Sequence, residues 1–316
     1  MMTLGRIAAN LFWMSRYVER AENMARLLEV GYRMSLTERG EDESSDHLLS
    51  MMRAAEVDDI FATKHDVVDV STVAHFMLFD IDNPSSVRSC LDAARTNAKS
   101  VRTAITTDMW ESLNSTWIEF SQIHPRQVLG NRLPSFLQWI KQNANQFRGA
   151  LLGTLMRTDG FAFAQAGGFI ERADNTARIL DVKYYVLLPQ SSEVGGDVDI
   201  QQWTMILRAA SAHRAYRHLY RDRYRAWNIA DFLIFRKEMP RSLAFCVTSV
   251  AAMLGMLEQL YGEPSSCHDE AIKMAQRLTT SDMDKVFAEG LHEYLTAFIA
   301  SNNGLTDAIS DSYNFY

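Results

Sequence analysis

Two segments of this chain carry the same polar side chains in the same order, and these side chains are the ones best suited to chemistry. Residues 17–30 recur as residues 169–182, and eight of the fourteen paired positions are identical. The repeated polar residues are Glu19, Arg20, Asn23 and Arg26 in the first segment and Glu171, Arg172, Asn175 and Arg178 in the second. Since a helix duplicated only for packing would keep its apolar residues instead, the repeat indicates a role for the polar ones.

The chemistry available to such a segment depends on the helix face that its polar residues occupy. At about 100° per residue, Glu19, Asn23 and Arg26 fall opposite the apolar stripe of their helix. Glu19 and Arg26 are then two turns apart, and the amide of Asn23 could bridge them. Two such helices facing each other would form one site, in which arginines hold a carboxylate or phosphate and glutamates orient it or bind an amine. In a catalytic alternative, Glu19 or Glu171 acts as a general base on an amine while arginines hold an acyl or phosphoryl group.

Other interpretations of the same residues stay open from the sequence. The stripe is a solvated helix face, or Glu19 and Glu171 form salt bridges that only fix how the two segments dock. The pairs Glu19/Glu22 and Glu171/Asp174 also resemble the carboxylates of dinuclear metal sites in helical bundles. Because the neighbouring arginines would repel a cation, we expect no metal. The chain also lacks the glycine-rich phosphate-binding motifs, so we expect no bound cofactor.

The duplication extends beyond these two segments. Residues 51–55 recur at 206–210, and residues 76–79 with Pro84 recur at 232–235 with Pro240. Three blocks in the same order and at nearly constant spacing indicate a tandem duplication of the whole chain. We therefore predict two pseudo-equivalent halves, residues 1–150 and 151–316, that form one compact body.

The elements that position the repeated residues are predicted to be helices throughout. Apolar residues recur at a spacing of three to four, and no sustained alternation marks a strand. The fold class predicted from this pattern is an all-α helical bundle. The opening helix of each half is long, from residue 4 to about 36 and from residue 161 to about 188. At about 1.5 Å per residue such helices run the length of a domain and would form the spine of the bundle.

The second block of each half carries opposite charge at paired positions. Asp58, Asp59, Asp66 and Asp69 in the first half correspond to His213, Arg214, Arg221 and Arg225 in the second. On a single continuous helix, Arg214, Arg217, Arg221 and Arg225 would share one face beside Tyr216, Tyr220 and Tyr224. Three interpretations stay open: a solvated basic face with buried tyrosines, a contact between halves or between subunits of a homo-oligomer, and an anionic ligand.

Composition and charge exclude several classes of protein. The net charge of −7 and the pI of about 5.6 argue against a general nucleic-acid binder. Cys90 and Cys246 occupy equivalent positions in apolar stretches, so they are expected to be buried thiols in a reducing compartment. The first residues do not resemble a secretion signal, and the apolar run 243–257 is shorter than the roughly 20 residues that span a bilayer. We expect a cytoplasmic protein that does not enter a membrane.

Read together, several motifs of this chain are similar to those of the bacterial alpha-E family. The motifs are residues 9–23, 83–87 with Cys90-Leu91, 94–98, Val101-Arg102, 110–114, and 240–243 with Cys246. The resemblance covers essentially the whole chain and implies an all-helical protein. By this resemblance the two Glu-Arg-x-x-Asn-x-x-Arg stripes are the positions that matter most. Arg95, Asn97 and Arg102 also match the family pattern, but Ala251 and Met253 replace Arg95 and Asn97 in the second half.

The resemblance further implies a functional setting. Members of the family resemble partners of a circularly permuted ATP-grasp protein and a transglutaminase-like protein, with which they are encoded or fused. An ATP-grasp ligase makes acyl phosphates and joins amines to them, so the implied setting is peptide or amide-bond synthesis or modification. The leading hypothesis is a binding module whose stripes hold a peptide, a carboxylate group or the partner ligase.

Overall fold

The computed structural model describes residues 5–36, 41–186, 196–221 and 223–315, which form fifteen α-helices and no β-strand. The predicted all-α fold is confirmed. The first half contains α1 (Gly5–Ser35), α2 (Glu41–Ala54), α3 (Asp58–Ala62), α4 (Val70–Phe79), α5 (Val87–Ser100), α6 (Thr107–Gln122) and α7 (Leu133–Thr154). The second half contains α8 (Asp159–Val186), α9 (Asp197–Ala209), α10 (His213–Tyr220), α11 (Ala226–Ile234), α12 (Leu243–Tyr261), α13 (Ser266–Thr280), α14 (Met283–Glu289) and α15 (Leu291–Ser312).

The two long helices α1 and α8 pack against each other along the centre of the molecule. They have 31 and 28 residues, and α8 begins two positions before the predicted start, at Asp159, whose carboxylate is favourable in the first turn of a helix. Residues 4, 187 and 188 of the predicted spans lie outside the described residues. Helices α2, α5 and α7 also pack on α1, and α2, α12 and α15 pack on α8.

Most of helix α1 is buried, including most of the face predicted to lie opposite the core. Glu19 and Arg26 expose 2% and 4% of their surface, and Glu22 exposes none. The interpretation of this stripe as a solvated helix face is therefore wrong. The polar stripe is buried because α8 and α9 of the other half and α7 of its own half pack against it.

Two turns show that the halves are arranged alike. Helices α2 and α9 both end in a left-handed residue, Glu56 with φ 55° and Ser211 with φ 54°. In each turn the next N–H returns to a carbonyl five residues earlier, from Val57 to Met52 and from Ala212 to Leu207. This is the Schellman motif, formed here by residues other than glycine.

The equivalent cysteines also have equivalent surroundings. Cys90 and Cys246 are free and fully buried, and each thiol lies 3.9 Å from the carbonyl oxygen of the preceding proline, Pro84 or Pro240. Burial raises the pKa of both thiols to about 12, so neither is a reactive thiolate.

Helix α12 is the one described helix whose length and apolar composition would allow it to cross a membrane. It extends four residues beyond the apolar run seen in the sequence and ends at Gly262, which adopts φ 78°. In the structure α12 packs between α8 and α13, and Leu243, Val250 and Leu257 on it are buried. A core helix of this kind meets the same length and composition criteria.

Helices α1 and α8 approach each other closely at Gly167. A Cβ atom at this position would lie 2.2 Å from the carbonyl oxygen of Phe12, which is backbone and cannot rotate away. Glycine is therefore required for the crossing of the two spine helices, even though glycine is unfavourable inside a helix.

We expect Gly167→Ala to lower the free energy of unfolding by about 1–3 kcal/mol, because the helices must move apart. Gly149→Ala is the matched control, since Gly149 lies exposed on α7 with no atom within 4 Å of the added Cβ. The control should gain about 0.5–1 kcal/mol from helix propensity. Urea denaturation followed by circular dichroism measures both, and equal gains in the two variants would contradict the close crossing.

Candidate functional site

The two Glu-Arg pairs of the repeated segments meet where α1 crosses α8. Arg20 donates from Nε to Glu171 Oε1 at 2.5 Å and from Nη2 to Glu171 Oε2 at 2.9 Å. In return, Arg172 donates from Nε and Nη2 to the two oxygens of Glu19, both at 3.0 Å. Each glutamate is thus held by both ends of the arginine fork from the other copy of the motif.

Glu171 has a second arginine partner from α1. Arg16 Nε donates to Glu171 Oε2 at 2.8 Å, and Arg16 Nη1 donates to Thr306 Oγ1 of α15 at 3.1 Å. The counterpart of Arg16 in the second repeat is Gly168, so this contact has no equivalent around Glu19. Both Arg16 and Glu171 are buried.

Glu19 receives two additional arginines from outside the repeated segments. Arg148 of α7 donates to Glu19 Oε2 at 2.7 Å, and Arg241, in the turn before α12, donates to Glu19 Oε1 at 3.1 Å. Arg241 also donates to Glu22 Oε1 at 2.8 Å, and Arg148 forms an ion pair with Glu22. Ser85 occupies the place of Arg241 in the first half, so this arrangement is again asymmetric.

The last arginine of each stripe reaches the other half of the molecule. Arg26 donates from Nη1 to the carbonyl of Ala209 at 2.5 Å and to Ser211 Oγ at 2.8 Å, in the Schellman turn after α9. Arg178 donates from Nη1 to the carbonyl of Ala54 at 3.1 Å, in the equivalent turn after α2. Each arginine therefore satisfies a carbonyl that the end of an α-helix leaves without an intrahelical partner.

Within their own helices these arginines pair one turn back. Arg26 holds Glu22 with bonds of 2.8 and 2.5 Å, and Arg178 holds Asp174 with bonds of 2.6 and 3.2 Å. The predicted bridge from Glu19 through Asn23 to Arg26 is wrong, because the shorter i,i+4 spacing brings the side chains together directly.

The two asparagines face the helix crossing rather than an arginine. Asn23 donates from Nδ2 to the backbone carbonyl of Glu171 at 3.2 Å. The side chain of Asn175 is 1% exposed, and neither of its polar atoms bonds to a group of the described residues. The asparagines therefore do not link a glutamate to an arginine within either stripe.

The glutamates of this cluster are held in their ionised form. Burial alone would raise the pKa of Glu171, but the charges and hydrogen bonds of Arg20 and Arg16 outweigh burial and lower it to about 2. The pKa of Glu22 is lowered to about 2 in the same way, chiefly by Arg241 and Arg26. The pKa of Glu19 lies well below its ordinary value because Arg148, Arg172 and Arg241 surround it.

These contacts form three neighbouring sets of ion pairs, around Glu171, around Glu19 with Glu22, and around Asp174, which together are called the arginine–carboxylate cluster. The cluster contains seven arginines (Arg16, Arg20, Arg26, Arg148, Arg172, Arg178 and Arg241) and four acids (Glu19, Glu22, Glu171 and Asp174). Burial, together with the other arginines nearby, lowers the pKa of Arg241 to about 10, so it is still charged at neutral pH. The cluster reaches the surface at Arg20 and Arg148, whose side chains are 25% and 20% exposed.

The space beside the cluster is small. A cavity of about 30 Å³ lies among Glu19, Arg148 and Arg172, with Ser15 and Gln165 in its wall. This volume has room for only a few water molecules. A peptide or an acyl phosphate does not fit there without a rearrangement of the helices.

A metal site finds no support in the geometry of these carboxylates. Within the described residues, no group of three or more His, Cys, Asp or Glu side chains is placed to hold a metal ion. The carboxylates of Glu19, Glu22 and Glu171 face arginines instead. The Glu-x-x-His spacing of dinuclear sites occurs at Glu289 and His292, where it spans the break between α14 and α15.

The structure places the other predicted residues apart from the cluster. Arg95 Nε donates to Asn114 Oδ1 at 2.9 Å, and Asn97 Nδ2 donates to the carbonyl of Ala93 at 2.8 Å. The guanidinium groups of Arg95 and Arg102 lie 5.9 and 5.5 Å from the ring centre of Trp110. These residues form a half-exposed patch. Arg95 and Asn97 lie on α5, Trp110 lies on α6, and Arg102 lies between the two helices.

Sequence reasoning did not find three members of the cluster as site residues. Arg16 and Arg241 do lie within motifs that carry the family resemblance, but neither has a counterpart in the other half. Arg148 lies on α7 with no signal in the sequence. Its role follows only from the packing of α7 on α1.

The predicted basic helix is interrupted. Helix α10 ends at Tyr220, and Arg221 adopts φ 56°, so Arg225 cannot continue the face of Arg214. The tyrosines turn inward: the hydroxyl of Tyr216 donates to the carbonyl of Arg223 at 2.6 Å. Helix α10 packs on α9 and α11 and α3 packs on α2, and in the described part of the chain no salt bridge joins α3 to α10. Within the described residues, the predicted attraction between these segments is therefore not seen as a salt bridge between α3 and α10.

Comparison with known proteins agrees with the importance of the Glu-Arg pairs. A family model described as a predicted alpha-helical domain with a conserved ER motif matches residues 3–313. The chain is 24% identical to an uncharacterised protein of Mycobacterium bovis and to two of Mycobacterium tuberculosis. These alignments cover 97% of this chain but 36% of each relative, so the chain spans about a third of their length. No solved structure matches the chain significantly.

We expect Glu171→Gln to lower the free energy of unfolding by about 3–5 kcal/mol, because Arg16 and Arg20 lose their counter-charge in a buried place. The control is Glu119→Gln on the exposed face of α6, which should change stability by less than about 0.5 kcal/mol. Urea denaturation compares the two variants. Similar stabilities would mean that the cluster does not hold the halves together.

The depressed pKa values also predict a dependence of stability on pH. Glu171 and Glu22 have pKa values of about 2 in the folded protein, against an ordinary value of 4.5. Their contribution is complete above the unfolded value and is lost as pH falls through the folded one. We expect the free energy of unfolding to fall by several kcal/mol between about pH 5 and pH 2, by roughly 3 kcal/mol for each group. A series of urea titrations should show a shallower fall in Glu171→Gln, and parallel curves would contradict this assignment.

Proposed function

The chain belongs to the Alpha-E family, and from this premise we propose that it is a helical binding module, not an enzyme, in an ATP-grasp-linked system that makes or modifies peptide or amide bonds. One observation carries this proposal: both oxygens of Glu19 and of Glu171 accept hydrogen bonds from arginines. In this proposal the Glu-Arg motif stabilises the fold, and residues on the surface bind the partner.

The alternative in which Glu19 or Glu171 is a general base has no observation in its favour. A general base needs an accessible lone pair and a pKa near the operating pH. Both glutamates are almost fully buried, and their pKa values are lowered rather than raised. The adjoining cavity would admit only a few water molecules.

The length of the relatives supports a module that works beside other domains. In those proteins the region similar to this chain is accompanied by further sequence that makes up more than half of the molecule. We propose a circularly permuted ATP-grasp protein or a transglutaminase-like protein as the partner, in the cytoplasm. The three described cysteines are free, which suits a reducing compartment.

The half-exposed patch of Arg95, Arg102 and Trp110 is the surface proposed to bind the partner. Unlike the arginines of the cluster, these two are not paired with buried carboxylates in the described structure. Arg95 bonds to an amide oxygen, and Arg102 is exposed. Arginine forks bind carboxylates and phosphates with two hydrogen bonds, and Trp with Arg is typical of the energetically dominant residues of interfaces. The patch therefore suits a partner that presents an acidic group, and Asn97 lies beside it on α5.

The test is to purify the protein with an ATP-grasp partner and to measure complex formation by calorimetry, together with ATP turnover. We expect Arg102→Glu and Trp110→Ala to weaken binding at least tenfold, which is about 1.4 kcal/mol, while the fold is unchanged. Glu119→Gln on the same helix as Trp110 should bind as the wild type does. ATP turnover by the isolated protein, or undiminished binding by both patch variants, would refute the proposal.

A further inference from the structure

Two surface segments at equivalent positions of the halves carry opposite charge. The acidic turn, residues 56–69, contains five acidic residues and one lysine. The basic turn, residues 213–227, contains five arginines and one aspartate. Drift of a solvated surface after duplication gives no reason for the two charges to be equal in size and opposite in sign.

The two turns hold equivalent places in the two halves. The acidic turn begins at the Schellman turn of Glu56, and the basic turn follows that of Ser211. Each Schellman turn is bound by an arginine of the other half, Arg178 or Arg26.

Both turns present their charges, and some apolar surface, to the outside. Asp59 and Asp66 are exposed, and Val67 beside them is 60% exposed. In the basic turn Arg214 is exposed, and Leu219 is 58% exposed. Trp227 completes this surface at 45% exposure. Apolar side chains within a charged rim are the usual anatomy of a protein–protein interface.

The described ion pairs of the acidic turn are made with residues outside the basic turn. Asp58 pairs with Arg53 of α2 at 3.8 Å, and Glu56 pairs with Arg178 of α8 at 3.0 Å. Among the described residues, none of the salt bridges connects the acidic turn with the basic turn.

We propose that the acidic turn of one molecule docks on the basic turn of a second copy of this chain. In an isologous dimer the acidic turn of each copy meets the basic turn of the other, so the contact forms twice. A nucleic acid is disfavoured as the occupant, because a polyanion on the basic turn would also meet the acidic turn.

The first test is sedimentation velocity of the purified protein alone at low and high salt. The pairing is electrostatic, so self-association should be at least tenfold weaker at 1 M NaCl than at 50 mM, as the Debye length falls to about 3 Å. A wild type that is monomeric at low salt, or a dimer indifferent to salt, would overturn the proposal.

Charge substitution makes the test specific to these two turns. Asp59→Lys with Asp66→Lys cancels the net charge of the acidic turn, and Arg214→Glu with Arg217→Glu cancels that of the basic turn. Each double variant alone should be monomeric, because neither of its two contacts then pairs opposite charges. An equimolar mixture should form a heterodimer, since one of its two contacts again pairs an unchanged acidic turn with an unchanged basic turn.

The outcomes separate this proposal from a general loss of fold and from the proposed partner binding. Circular dichroism and thermal unfolding confirm that each variant is folded, and formation of the heterodimer would itself exclude misfolding. Dimerisation by either double variant alone, or a mixture that stays monomeric, would overturn the docking of the two turns. None of these measurements uses an ATP-grasp partner, so failure here leaves the proposed function untouched.

Discussion

The structure depends on two reciprocal salt bridges between its long helices, which we call the reciprocal exchange. Arg20 of α1 neutralises Glu171 of α8, and Arg172 of α8 neutralises Glu19 of α1. Removing a carboxylate or a guanidinium from water costs several kcal/mol for each ion, and the cost is offset only if the partners meet in good geometry. Neither half can therefore bury its polar stripe without the other. This constraint fixes how the halves dock, and the close crossing at Gly167 follows from it.

The same exchange explains which residues the duplication kept. Each copy of the motif completes the ion pair of the other, so a change of Glu or Arg in one copy would leave a buried charge without its partner. Positions outside the exchange were free to diverge. Met24, for example, is paired with Thr176 in the second copy. The hydroxyl of Thr176 donates to the carbonyl of Arg241 at 2.7 Å. Arg241 is itself an asymmetric addition, since Ser85 stands in its place in the first half.

The burial of the motif also separates architecture from function. Arg16, Arg148 and Arg241 add positive charge around glutamates that are already paired, and this excess keeps the carboxylates ionised. A repeated acidic residue is commonly taken as a catalytic candidate, but a carboxylate held this tightly neither accepts a proton from a substrate nor contacts one. In the proposed function, binding takes place on the surface that the cluster holds in shape.

The sequence by itself determined the all-α fold, the two spine helices and the residues of the repeat, because helical periodicity and duplication are local patterns. It also indicated that Cys90 and Cys246 are buried equivalents. Only the tertiary structure decided that the polar stripe is internal and which arginine meets which glutamate. Arg148 and Arg241 reach Glu19 from 129 and 222 positions away, and no spacing along the chain encodes such contacts. The physical reason is that a helix face has no intrinsic inside or outside: the neighbour that packs against it decides whether its charges meet water or each other.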